Sequence, residues 1–197
     1  MKLQLVKAYY PNGNILREYT ENEEGQKYGT FQHWYPNGQL QVQSEWLNDK
    51  RHGTYQDWHE NGQLWEQCEY VDGTLHGTYK RWHDNGQLWE RSEWVNNEIH
   101  GVLHVWGYNG QLLEQCEYVN GNRQGIQYGW DDDDDGSLLF IQQYDNGAIL
   151  VSVKYEHTPI TIEIFNSNIE STTFIANITT QLTQEGKEYE FTHDGYI

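Results

Sequence analysis

The stretch Asn61-Gly62-Gln63-Leu64-Trp65-Glu66-Gln67-Cys68-Glu69-Tyr70 returns almost unchanged as Asn85-Gly86-Gln87-Leu88-Trp89-Glu90-Arg91-Ser92-Glu93-Trp94, and again between Asn109 and Tyr118. A segment that recurs this closely is one unit of a repeat array. Its turn glycines fall at Gly13, Gly38, Gly62, Gly86, Gly110 and Gly136, a period of 24 residues with one residue extra in the first interval and two in the last. Units of that size are single supersecondary elements that complete a core only by stacking on their neighbours.

Within a unit the side chains alternate. Leu64, Glu66, Cys68 and Tyr70 form one set and Trp65, Gln67, Glu69 and Val71 the other, the period-2 pattern of a strand with two distinct faces. Asp72-Gly73, like Asn120-Gly121, supplies the positive-φ residues of a tight hairpin turn, and His76 to Trp82 reads as the return strand before Asn85-Gly86 closes the next turn. Gly53, Gly77, Gly101 and Gly125 recur on the return strand, where a missing side chain points to a bulge or a close approach. Trp34, Trp58, Trp82, Trp106 and Trp130 end that strand and are expected to stack along the array. Cys68 and Cys116 share one repeat position with Ser44 and Ser92, so they read as small packed residues and not as a disulfide.

The pattern predicts an all-β fold of stacked hairpins in an antiparallel sheet. Residues 1–150 hold about six 24-residue repeats with an N-terminal capping strand, and residues 151–197 form a C-terminal capping segment. In that segment Ile169, Phe174, Ile178 and Leu182 fit the stripe of one short helix, while its threonines favour a strand.

The units, Gly-Thr-Tyr-x-x-Trp followed by Tyr/His-x-Asn-Gly-Gln-Leu and then Glu-Tyr/Trp, resemble the MORN repeat in its Asn-Gly-Gln-Leu variant over roughly residues 10 to 150. The resemblance implies a long, twisted, single-layer sheet of hairpins and specifies no reaction. Proteins similar to this variant are commonly labelled antitoxin or immunity-type, which implies an inhibitor that masks a toxin or nuclease.

Charge bounds the partners. Thirty acidic against 12 basic residues give a formal charge of -18, which argues against direct binding of nucleic acid or of an anionic membrane and favours a basic protein partner. An aromatic content of 15% supplies more ordering material than disordered segments carry. No apolar run approaches a membrane span of about 18 residues, and the N-terminus lacks a signal-peptide pattern, so a cytoplasmic protein is expected.

Glu45, Glu69, Glu93 and Glu117 form one column at repeat spacing. Two strands per repeat would set them about 10 Å apart, a ladder of charges and not a catalytic pair around an enclosed substrate. Trp65 and Trp89, on the same parity as Glu69 and Glu93, are the candidate aromatic patch for partner binding. Asp131, Asp133 and Asp135 add an acidic loop that matches the first half of a calcium loop. The bidentate position there is Gln142, so it reads as a self-repelling loop tip. His52, His76 and His100, and His59 with His83, are spaced too widely along their columns for one zinc. No cofactor, metal or catalytic residue is assigned. The expected function is a non-enzymatic acidic inhibitor or antitoxin-type protein on the basic surface of a nuclease or nucleic-acid-binding protein. The alternative is a self-associating or tethering scaffold, including a homodimer.

Overall fold

The computed structural model describes residues 2–132, 136–155, 158–166 and 169–192, the side chains of residues 169 and 170 excepted. The chain divides into two compact units, Met1–Glu98 with Tyr108–Gly110, and Ile99–Gly107 with Gln111–Ile197.

The first unit is built of β1 (Gln4–Tyr9), β2 (Ile15–Glu21), β3 (Lys27–Trp34), β4 (Leu40–Leu47), β5 (Lys50–Trp58), β6 (Leu64–Val71), β7 (Thr74–Trp82) and β8 (Leu88–Val95). They lie side by side in chain order, each antiparallel to the next. Short turns alternate between the two ends of the strands, as the Asn-Gly and Asp-Gly pairs require. At the tight-turn end Asp72 and Gly73 have φ of 51° and 86°, the doubly positive backbone of a type I′ hairpin. The same turns tie successive repeats: Gly73 N–H donates to the Arg51 carbonyl at 2.8 Å and Asn97 N–H to the Leu75 carbonyl at 3.0 Å.

At the other end the Asn-Gly-Gln-Leu motif does the same work. The Asn61 side-chain oxygen accepts from Gln63 N–H at 2.9 Å, which closes the turn, while its amide donates to the Asp84 carbonyl in the next repeat at 2.9 Å. Gly86 has φ of 86°, a backbone that favours glycine, and the end of the Gln63 side chain lies where its Cβ would stand. Tyr35 hydroxyl donates to the Trp58 carbonyl at 2.9 Å, and His59 Nε2 lies 3.4 Å from the Trp82 carbonyl. In this column the repeat-to-repeat contact therefore runs through tryptophan carbonyls, where ring stacking was expected. The motif that identifies the repeat is thereby accounted for by turn closure and stacking.

The second unit continues the hairpins with β9 (Glu98–Trp106), β10 (Leu112–Val119), β11 (Asn122–Trp130), β12 (Leu138–Asp145) and β13 (Ala148–Lys154), antiparallel in chain order. It ends with β14 (Ile160–Ile164), α1 (Ile169–Gln184) and β15 (Tyr189–Thr192). β14 is antiparallel to β13, but β15 runs parallel to β14, a departure from the all-antiparallel expectation. The helix is the reason: a parallel return needs a crossover long enough to carry the chain back along the strand. Phe174, Ile178 and Leu182, four residues apart, are buried with Leu150, Val151, Val153, Ile160 and Ile162. That spacing decides for helix, and Thr179, Thr180 and Thr183 satisfy their hydroxyls by donating to the carbonyls of Ile175, Ala176 and Thr179 at 2.7–2.9 Å.

Candidate interaction surface

Three glutamates of the predicted acidic column, Glu45, Glu69 and Glu117, lie beside return-strand glycines. Gly53 and Gly77 have φ of 92° and 77°, and strand register skips at both, so each lies in a bulge. The glutamate on the neighbouring strand folds over that bulge. The Glu45 carboxylate occupies the place of a Cβ on Gly53 and accepts from Thr54 N–H at 3.2 Å; Glu69 Oε2 would stand 3.0 Å from a Cβ on Gly77. Thr78 hydroxyl donates to Glu93 with both oxygens at 3.1 Å, and Arg91 lies 3.3 Å from the same carboxylate. In the second unit Glu117 Oε2 keeps the same relation to Gly125, 3.4 Å from a Cβ placed there. Glu45, Glu69 and Glu117 are exposed, and Glu93 is half-buried. Of these carboxylates Glu45 is oriented by a backbone N–H and Glu93 by the Thr78 and Arg91 side chains, while Glu69 and Glu117 lie beside the glycine bulges.

Trp65 and Trp89 do not share a face with that column, contrary to the alternation read from the sequence. Trp58 pairs with Leu64 and Asp57 with Glu66, so Trp65 is the extra residue of a bulge; Trp89 is the extra residue between Leu88 and Glu90 in the same way. A bulge rotates the side chain that parity assigns to the other side. Both indoles turn toward Arg81, whose guanidinium carbon lies 5.9 and 5.6 Å from their ring centroids and 5.1 Å from that of Tyr79. Glu66 and Glu90 flank Arg81 at 3.7 and 3.9 Å. This is the face of Cys68 and Tyr70, and Glu69, between them in the strand, belongs to the other. The sequence did carry a signal for the bulge. Leu64-Trp65 and Leu88-Trp89 place two large apolar residues in succession, which a flat period-2 strand does not accommodate on one face.

Beside Trp65 the surface dips into a shallow, open cavity of about 280 Å³ lined by Tyr35, Gln41, Asp57, Trp58, His59 and Trp65. The rings of Trp65 and Trp89 are 5.8 Å apart, and His59 meets Trp65 edge-on at 4.9 Å. Asp57 accepts from the Tyr55 hydroxyl at 3.3 Å, and burial raises its carboxyl above the ordinary range, opposed by that hydrogen bond. The Tyr35 phenol is raised by burial and then by the charges of Asp57 and Glu60. Asp57 and Tyr35 were not singled out by the sequence reading. The signal for Asp57 was that its repeat position changes chemistry, reading His33, Asp57, Arg81 and Val105, inside an otherwise regular unit.

The thiols behave as packed side chains. Cys68 and Cys116 are free and buried, and burial pushes them up to about 12 and about 11. Asp131 N–H donates to the Ser137 carbonyl at 2.9 Å, whereas Asp133 and Asp135 lie outside the described residues. Gln142, the twelfth position of the calcium-loop alignment, stands within β12 and bonds Ser152 and Tyr144. Among the described residues no group of three or more His, Cys, Asp or Glu side chains is placed to hold a metal ion. No helix among them is long and apolar enough to cross a membrane.

Residues 5–20, 27–48, 51–72 and 75–96 match the MORN repeat variant, all within the first unit. No curated protein shows significant similarity to the chain. The matched segments coincide with the hairpins whose turn asparagines, bulge glycines and stacking glutamines are described above, and the family is generally a non-catalytic repeat module. By these four matches the hairpins of the first unit, between residues 5 and 96, are MORN repeats in their variant form.

Proposed function

We propose that this protein is a non-enzymatic protein-binding module, an acidic inhibitor of antitoxin type that occupies the basic surface of a partner such as a nuclease or another nucleic-acid-handling protein. The observation that carries the reading is the glutamate column. A carboxylate kept only for solubility needs no fixed position, yet Glu45 accepts a hydrogen bond from Thr54 on the following strand and Glu93 accepts one from Thr78 on the preceding strand. Charges held before contact lose less conformational freedom on binding, and their field speeds encounter with a cationic target. The overall charge of -18 acts in the same direction. Such an inhibitor works in the cytoplasm alongside its target, with no enzymatic step and no cofactor.

The test is affinity capture on the full chain at low and high salt, with the Glu45→Gln, Glu69→Gln, Glu93→Gln and Glu117→Gln variant in parallel. The expected result is one basic nucleic-acid-handling protein, released at high salt and associating about tenfold more slowly with the variant. Partners indifferent to salt and to the substitutions would overturn the reading.

A self-associating scaffold is the second reading, and a specific feature favours it. Leu5 and Tyr9 on β1, which among the described residues pairs with β2 alone, are 53% and 58% exposed. An open strand edge with exposed apolar side chains pairs readily with a second copy. Concentration-dependent mass in sedimentation, abolished by Leu5→Lys, would support it.

A further inference from the structure

We propose that the cavity lined by Tyr35, Asp57, Trp58, His59 and Trp65 receives one arginine side chain of a partner protein. The proposal rests on the reading of the chain as a binder of basic proteins, and it names a contact that the glutamate column does not supply.

The molecule contains its own template for the contact. Arg81 stands 24 residues after Asp57, at the same repeat position. Its guanidinium lies over Trp65, Trp89 and Tyr79, between the carboxylates of Glu66 and Glu90. One repeat earlier the position carries the opposite charge. Asp57 supplies a carboxylate, Trp65 and Trp58 supply aromatic walls, and the space between them is a cavity. Among the described residues no Lys or Arg is paired with Asp57 at ion-pair distance. Glu60, which does not line the cavity, adds its charge to that of Asp57 in the field felt by the Tyr35 phenol.

Guanidinium is the group that satisfies all of these features together. Its flat face stacks on indole, its edge donates to a carboxylate, and it sheds water more readily than an ammonium. At about 280 Å³ the cavity is smaller than most small-molecule sites and suited to one side chain. Burial already raises the Asp57 carboxyl, and a cation beside it would offset that cost.

The experiment titrates the full chain with N-acetyl-arginine methylamide, following the Trp65 indole N–H by NMR. That resonance is identified by its loss in Trp65→Leu, a side chain the protein itself uses at the equivalent Leu113; retained dispersion of the other indole signals, with a shift confined to nearby rings such as Trp89, shows that the variant is folded. We expect a saturable shift with an affinity of about 1–10 mM, no shift with the neutral citrulline counterpart, and about tenfold weaker binding in Asp57→Asn. Absence of a shift with the arginine compound, or an equal shift with citrulline, would overturn the proposal. Equal affinity for N-acetyl-lysine methylamide would overturn the guanidinium assignment. No partner protein is present in this titration, so it fails separately from the capture experiment. A basic partner without an arginine shift removes the cavity alone, and an arginine shift without any basic partner removes the inhibitor reading alone.

Discussion

The hairpins of β4 to β8 and the segment from β13 to β15 are stabilised in different ways. In the repeats the fully buried side chains are small: Ser44, Cys68 and Ser92 are at most 1% exposed, while the larger aromatics around them remain partly exposed, Tyr79 being the most buried at 6%. Cohesion there comes from the strand ladder, from turns bonded across repeats, and from cations over rings, with Lys27 4.8 Å from Trp46 and Arg51 4.6 Å from Tyr55. From β13 onward Val151, Val153, Ile162 and Leu182 are sealed in an ordinary apolar core beneath α1. A hairpin array that leaves its large side chains half-covered keeps them available for recognition, whereas a packed core removes them from use.

The largest test of that contrast is truncation. Leu182→Ala should lower stability by about 3 kcal/mol because it empties a closed site, and Leu64→Ala by only about 1 kcal/mol because its side chain is half-buried. Urea unfolding of both variants checks this, and equal losses would break the distinction. Backbone substitutions sharpen it within the repeats. Gly53→Ala should cost about 2 kcal/mol, since its positive φ is compounded by the Glu45 carboxylate, and Gly13→Ala about 1 kcal/mol, since nothing lies near its Cβ position. A similar shift of the thermal midpoint in the two would show that the carboxylate yields freely.

The smallest expected effect has the opposite sign. Burial raises the folded-state pKa of Asp57, so the folded protein holds that proton more tightly than the unfolded chain does. Stability from this group is greatest below the unfolded pKa and is lost as pH rises through the folded value. Asp57→Asn should therefore stabilise the protein at pH 7 by about 0.5 kcal/mol, after discounting for solvent screening, and the gain should vanish below about pH 4. Thermal unfolding at both values reads it. A stabilising substitution that weakens arginine binding would mark Asp57 as kept for recognition.

Much of the architecture was legible in the residues. The 24-residue return of Asn-Gly and the alternation from Glu66 to Tyr70 predicted the hairpins and their turns, because turn chemistry and pleat are local. The recurrence of Glu45, Glu69 and Glu93 at one repeat position of the first unit was legible for the same reason. Parity failed at Trp65 and Trp89, where one inserted bulge residue reversed the face, and with it the expected union of aromatic patch and acidic column. The parallel pairing of β14 with β15 was not legible either, since Phe174, Ile178 and Leu182 choose helix only when β13 and β14 are there to cover them.

By itself, then, the sequence determined a MORN-type array of hairpins with a strongly negative surface, since period, turn residues and charge are properties of short segments and of composition. Tertiary structure decided which face each tryptophan occupies, which glutamates fold over glycine bulges, and that Asp57 meets Tyr35 and Trp65 around one cavity. Those relations depend on register between strands, and a shift of one residue there moves a side chain from one face of the sheet to the other.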